Sequence, residues 1–231
     1  MKKSKRYRAS VEKVDAKKKV TIVEAAKLVK ECASAKFDES IVLSVKLNLD
    51  PKKAEQNIRS TVILPHGTGK TKKVAVMAKS EKAQEAKEAG ADVIGAEDLS
   101  AEIQKGIINF DVLIATPDMM KEMGKLGKIL GPRGLMPNPK SGTVTFDLKK
   151  AVNEVKSGRI EFRVDPYGIL HTVVGKASFD AKSLFENVKI ILDAVIRVKP
   201  VTVKGTYIQS ITLSSTMGPG VKIDPNNMYA E

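Results

Sequence analysis

Tryptophan is absent from this 231-residue chain, cysteine occurs once and histidine twice. A single thiol, Cys32, excludes an internal disulfide framework and any multi-cysteine zinc cluster. Its place beside an apolar helical stripe predicts a buried structural thiol. His66 and His171 belong to no HExxH or other metal-ligand pattern, and structural roles are expected for both. No G-x-S-x-G motif is present and no Ser/His/Asp order stands out, so the usual equipment for catalysis is missing. Scattered carboxylates leave acid–base pairs open, and no cofactor or metal is expected. Aromatic residues make up only 4% of the chain, and no RNP signature interleaves them with basic residues, so a broad base-stacking platform is not expected. No apolar run approaches the roughly 18 residues of a membrane helix. The basic start, MKKSKRYRAS, lacks the apolar core of an export signal, so the expected location is cytoplasmic, with no membrane partner.

Acids are also in short supply. Lys and Arg number 40 against 27 Asp and Glu, a net charge of +13, which points to a polyanionic partner. Over half of the excess lies in the first twenty residues. There Lys2, Lys3, Lys5, Arg6, Arg8, Lys13, Lys17, Lys18 and Lys19 face only Glu12 and Asp15. Such an arm can be a solubilising tail, but a second basic segment further along favours nucleic acid.

That segment is 124–144, GKLGKILGPRGLMPNPKSGTV. Glycine stands at Gly124, Gly127, Gly131, Gly134 and Gly142, proline at Pro132, Pro137 and Pro139, and no acid occurs. Lys125, Lys128, Arg133 and Lys140 supply its charge. Glycine permits positive φ and proline removes N–H donors, so a shaped basic loop with little regular secondary structure is expected. A phosphate cradle fits poorly. The only Gly-Lys-Thr, at Gly69, Lys70 and Thr71, has Leu64 where a P-loop needs its first glycine, and no G-x-G-x-x-G spacing is met. A KH-type GxxG has one formal match, Gly131 to Gly134, weakened by its prolines. A nucleotide-dependent enzyme and a generic DNA-binding protein are the competing function classes. What remains favoured is recognition of a folded RNA through backbone groups, hydroxyls and Lys/Arg.

Along the chain, Thr21 and Glu24 form a capping box opening a helix to about Ala35. Residues 40–48 alternate, with Ile41, Leu43, Val45 and Leu47 on one face, a strand with one buried and one wet side. A second strand spans 57–64. From residue 73 the pattern changes to short continuous apolar strands (73–78, 91–95, 111–117) between helices at 81–89 and 100–105, a small parallel unit, and Pro117 opens a further helix, 117–123, just before the glycine-rich segment. A helix from 147 stops at Gly158. Residues 159–164 and 169–175 read as a hairpin around Asp165-Pro166-Tyr167-Gly168. The longest helix follows at 180–199, then a last strand at 206–216. The fold class is therefore α/β and α+β. A discontinuous, split α+β domain (1–66 and 159–231) surrounds an inserted three-layer parallel α/β (Rossmann-like) domain (67–158), with hinges at Gly67 and Gly158.

Residues 126–144, LGKILGPRGLMPNPKSGTV, resemble the signature of the universal large-subunit ribosomal protein L-one family in its bacterial form. The resemblance spans nearly the whole chain: KFDES at 36–40, QNIR at 56–59, LPHGTGK at 64–70, ATPDMM at 115–120, VGKASF at 174–179 and STMGPG at 215–220. It implies the same two-domain arrangement and a main RNA site on the wet sheet face of the discontinuous domain. By motif, that site takes Lys36, Phe37 and Ser40, then Asp165, Lys176, Thr216, Met217 and Gly218. Residue type alone favours core packing for Phe37 and Met217. The loop residues Lys125, Lys128, Arg133 and Lys140 would face the other domain or make a secondary RNA contact. The resemblance further implies a non-catalytic protein, monomeric when free, that binds large-subunit rRNA of the ribosome. It would form the mobile stalk by the tRNA exit site, assist release of deacylated tRNA, and repress its own operon by binding its mRNA.

Overall fold

The computed structural model describes residues 4–15, 18–51 and 53–227. Two compact units emerge, one from residues 1–69 with 160–231, the other from 70–159. Lys2, Lys3 and Lys17 of the basic arm lie outside the described residues.

The first unit is built on β1 (Ser40–Leu47), whose residues alternate between half-buried and buried along its length. It is flanked by β7 (Ile169–Lys176) and β8 (Ile208–Ser215), and β9 (Gly220–Ile223) extends the sheet, all antiparallel in the order β7-β1-β8-β9. Period-two alternation sends Ile41, Leu43, Val45 and Leu47 to one face, where Ile211 and Leu213 of β8 join them. Two helices supply the other half of this core. α2 (Ile22–Cys32) contributes Ile22, Ala25, Ala26 and Val29; α7 (Ala181–Arg197) contributes Leu184, Val188, Ile191 and Val195. Thr21 caps α2, its Oγ1 accepting the N–H of Glu24 at 3.4 Å. Cys32 ends that helix buried, and burial pushes its thiol pKa up, so it is a packing residue. Among the described residues no helix packs on the opposite sheet face, which holds the polar members of the alternation, Ser44, Lys46, His171 and Thr212 among them.

The segment expected as a simple hairpin pairs differently. β6 (Arg159–Arg163) forms a separate two-stranded sheet with β2 (Arg59–Ile63), while Val164↔Leu170 is an isolated bridge. β7 has β1 as its partner, and β6 departs from it before the bridge, with Ile160, Phe162 and Val164 buried in the core. Part of the basic arm is ordered too. α1 (Lys5–Glu12) is capped by Ser4, Val14 is buried, and Val20 pairs in parallel with Ile223.

The second unit is a three-layer sandwich. β3 (Val74–Met77) is buried throughout and lies between β4 (Val93–Gly95) and β5 (Val112–Ala115), all parallel. Ala75 and Met77 face α4 (Glu97–Gln104) and α5 (Met120–Leu130), while Val74 and Val76 face α3 (Ser80–Glu88) and α6 (Leu148–Lys156). Strands covered on both faces have no wet side, hence their unbroken apolar runs. α5 overturns part of the loop expectation, since Gly124 and Gly127 lie inside it. Met123, Leu126 and Leu130 are fully buried at helical spacing. At roughly 1.5–3 kcal/mol each, their burial outweighs about 1 kcal/mol for each helical glycine. Only residues after Leu130 are irregular, and they are pinned. The Asn138 N–H donates to Thr143 Oγ1 (2.8 Å), Ser141 Oγ donates to the Asn138 carbonyl (3.0 Å), and Ala115 N–H of β5 donates to the Thr143 carbonyl (3.0 Å).

Candidate nucleic-acid interface

Three segments that are far apart in sequence meet at one end of the first unit's sheet, because β1 starts where β7 and β8 end. Ser40 stands opposite Lys176, and Ile41 opposite Ser215. Thr216, just past β8, locks this corner. Its Oγ1 accepts the Ser40 N–H and donates to the Ser40 carbonyl, both at 3.1 Å. The hydroxyl proton is therefore engaged inside the protein, which leaves one acceptor lone pair on this exposed side chain.

Glu39 is the residue beneath. It is 1% exposed, and its carboxylate takes the Ala35 N–H on one oxygen and the Met217 N–H on the other, each at 2.9 Å. Burial pushes its pKa up, but the Met217 N–H, the Ser215 hydroxyl and the Ala35 N–H, with Arg6 of α1, outweigh that and hold it below the usual carboxylate range. The third segment is tied in by Asp38, whose two oxygens accept from the backbone N–H (3.1 Å) and hydroxyl (2.9 Å) of Ser178. Lys176 Nζ donates to the Asp38 carbonyl (3.1 Å), and the Ala177 N–H to that of Glu39 (2.8 Å).

On this frame Lys36, Phe37, Thr216 and Met217 are exposed, while Ser40, Lys176 and Gly218 are half-buried. Phe37 at 56% and Met217 at 48% exposure are not core residues, contrary to what residue type alone suggests. The loops holding them are closed by hydrogen bonds rather than by apolar packing, so both side chains stay outside. Gly218 is a requirement of space, since a Cβ there would lie 2.4 Å from Ser215 Oγ. Seven of the eight residues assigned by motif to the main site thus gather at one corner.

The eighth does not. Asp165 sits at the opposite end of β7, past Lys46↔Ile169, six residues along β1 from Ser40, or about 20 Å at strand rise. Its Oδ1 accepts the N–H groups of Tyr167 (2.9 Å) and Ile169 (2.7 Å), so its first role is to shape the turn. Between the two ends runs the uncovered sheet face, with Ser44, Lys46, His171, Ser210, Thr212, Ser214 and Lys222 on it. His171 is exposed, hydrogen-bonded through Nδ1 to Ser44 Oγ (3.0 Å), with Nε2 3.9 Å from Asp165 Oδ2.

Sequence reasoning missed this place for His171, and missed Glu39 altogether, although the single buried acid inside KFDES had a signal in its regular position before β1. It also passed over Asn187, which is fully buried in the apolar stripe of α7. Asn187 Nδ2 donates to the carbonyls of Val174 (2.8 Å) and Gly67 (3.1 Å), and Oδ1 accepts the His66 N–H (3.4 Å). Gly67 adopts φ +64°, and Gly158, following α6, φ +97°.

In the second unit, Lys125 and Lys128 project from the exposed side of α5, and Arg133 and Lys140 are exposed beyond it. The described residues contain no group of three or more His, Cys, Asp or Glu able to hold a metal ion, and no helix among them is long and apolar enough to cross a membrane.

Residues 28–219 match the Ribosomal protein L1p/L10e family. The chain is 53% identical over 226 residues to the large ribosomal subunit protein uL1 of Thermobifida fusca, covering 98% of this chain and 96% of that one. The proteins of the same description from Cutibacterium acnes (56% identical, 97% of each chain) and Rhodococcus erythropolis (55% identical, 97% of this chain and 94% of that one) are similarly related.

Proposed function

The chain belongs to the ribosomal protein L1p/L10e family, and from that premise we propose that its first unit binds a bulged helical site of large-subunit rRNA. It is a structural component of the large ribosomal subunit in the cytoplasm, not an enzyme. The observation that carries the rRNA reading is the corner where Lys36, Phe37, Ser40, Lys176, Thr216, Met217 and Gly218 converge, held rigid by Glu39 and Asp38. Preorganised loops lose little freedom on binding, so contacts made by them convert efficiently into affinity. Hydroxyls and backbone groups suit ribose and phosphate, and the two exposed apolar side chains suit an unstacked base.

Built on that surface, the protein forms the mobile stalk beside the tRNA exit site, assists release of deacylated tRNA, and is a monomer when free. The same surface binds a similar structure in its own operon mRNA. Repression then begins once rRNA is saturated, because one site serves two targets of different affinity. Gly67 and Gly158, each within two residues of a crossing between the units, are the proposed hinges. Lys125, Lys128, Arg133 and Lys140 are proposed for a secondary RNA contact.

The test is affinity for an rRNA stalk fragment across a salt series, with Met217→Ala and Phe37→Ala set against a triple neutralisation of Lys125, Lys128 and Arg133. Losses of roughly 1–3 kcal/mol with an unchanged salt slope in the first two support the corner as the site. Unchanged affinity there, with binding abolished by the triple variant, moves the site to the second unit.

A further inference from the structure

The uncovered sheet face ends not in one exposed aromatic side chain but in two. Phe37 stands at the corner already described, and Tyr167, 75% exposed, stands at the other end, on the turn between β6 and β7. No residue of this turn other than Asp165 was assigned a role by motif, and a tyrosine on a solvent-facing turn needs a reason to be held firmly. Its backbone is held firmly. The N–H donates to Asp165 Oδ1, and the carbonyl accepts from Lys46 Nζ. Gly168, at φ +75°, donates its N–H to the Asp165 carbonyl (3.1 Å), and its own carbonyl accepts the Leu47 N–H (2.9 Å). A Cβ on Gly168 would meet the Leu49 and Leu47 carbonyls at 3.2 and 3.3 Å, so the turn lies close against the end of β1.

Two of these ties come from the uncovered face itself. Lys46 belongs to it and reaches the Tyr167 carbonyl; His171 belongs to it and faces the outer oxygen of Asp165. The exposed phenol is therefore carried at the edge of the same surface on a fixed backbone, with few rotatable bonds of its own and with Lys46 held against its carbonyl. An aromatic ring of this kind stacks on a base with little loss of freedom, and the neighbouring cation favours the phosphate that comes with the base.

We propose that Tyr167 is a second base-stacking point, so that RNA is gripped at both ends of the sheet face, at Phe37 and at Tyr167. Ser44, Thr212 and Ser214 lie on the sheet face between these two ends. The inference rests on the reading of this face as the RNA surface. It assigns to one unpaired or bulged base a contact about 20 Å from the first, along β1.

The experiment is binding of the full-length protein to a bacterial rRNA stalk fragment by wild type, Tyr167→Ala and Tyr167→Phe. Stacking predicts an affinity loss of about tenfold for Tyr167→Ala at every salt concentration, because the contact is non-ionic, and a change within about twofold for Tyr167→Phe. A spectroscopic arm is available because the chain has four tyrosines and no tryptophan. RNA should quench tyrosine emission in wild type, and Tyr167→Phe should remove most of that quenching while leaving affinity intact. Equal affinities for wild type and Tyr167→Ala overturn this inference alone. A wild-type protein that leaves the fragment unbound overturns the RNA reading, and the inference with it.

Discussion

Replacing Glu39 tests the frame on which the proposed site stands. In Glu39→Ala the N–H groups of Ala35 and Met217 lose a charged acceptor that each meets at 2.9 Å. Hydrogen bonds to charged groups contribute about 1.5–3 kcal/mol apiece net of desolvation, and Ala35 is half-buried and Met217 exposed, so water can partly replace the carboxylate and the loss falls at the low end, on the order of 3 kcal/mol. Hydrogen exchange reads this locally, without assuming that both units unfold together. The Ala35 and Met217 amides should exchange roughly a hundredfold faster, at 1.36 kcal/mol per decade. Glu39→Gln retains one acceptor oxygen and turns an NH₂ toward the other donor, so one amide should stay protected and the other not. The pH dependence has a definite sign. With the folded carboxylate held below its usual range, its stabilisation is complete above the unfolded value near ~4.3 and is lost as pH falls through the lower folded value. Glu39→Gln should abolish that component of the acid profile. Both amides remaining protected in Glu39→Ala would refute the reasoning, since the loops would then be held by something other than this carboxylate.

The remaining predictions concern packing around the same unit. Gly218→Ala should destabilise it by about 1–3 kcal/mol, because the new methyl lies 2.4 Å from Ser215 Oγ; in a denaturation-based double-mutant cycle, adding Ser215→Ala should restore only part of the loss, since it also removes a hydroxyl that supports Glu39. Tyr207 has a buried hydroxyl without a hydrogen-bond partner, so Tyr207→Phe should leave urea stability unchanged or raise it by up to about 1 kcal/mol. Burial raises the Tyr207 pKa to about 12, so absorbance titration should show one late-ionising phenol that Tyr207→Phe removes, with its stabilisation lost as pH rises from the unfolded value near ~10 through 12. Asn187→Leu should cost on the order of 2–4 kcal/mol by thermal melt, because the carbonyls of Val174 and Gly67 and the His66 N–H lose their buried partner together.

Much of the architecture was legible because it is written in local periods. The alternation of 40–47 declares a half-buried strand, the continuous runs around 74–77, 93–95 and 112–115 declare strands covered on both faces, and the stripe of α7 declares a long amphipathic helix. Each signal depends only on residues a few positions apart. Basic charge likewise announces a polyanionic partner without any knowledge of the fold.

Other features were settled by contacts between residues far apart in the chain. Gly124 and Gly127 read locally as a loop, and burial of Met123, Leu126 and Leu130 made them helical. β6 reads as the mate of β7, yet pairs with β2 from a hundred residues earlier. The candidate site is the strongest case: Glu39 meets Met217, and Asp38 meets Ser178, only because three strand ends converge. Local sequence determined which elements form and which faces they bury, since side-chain period and hydrophobicity are properties of neighbours along the chain. Tertiary structure alone decided which loops share a corner, which side chains stay outside it, and which buried groups hold it still, since those depend on the order in which strands pair.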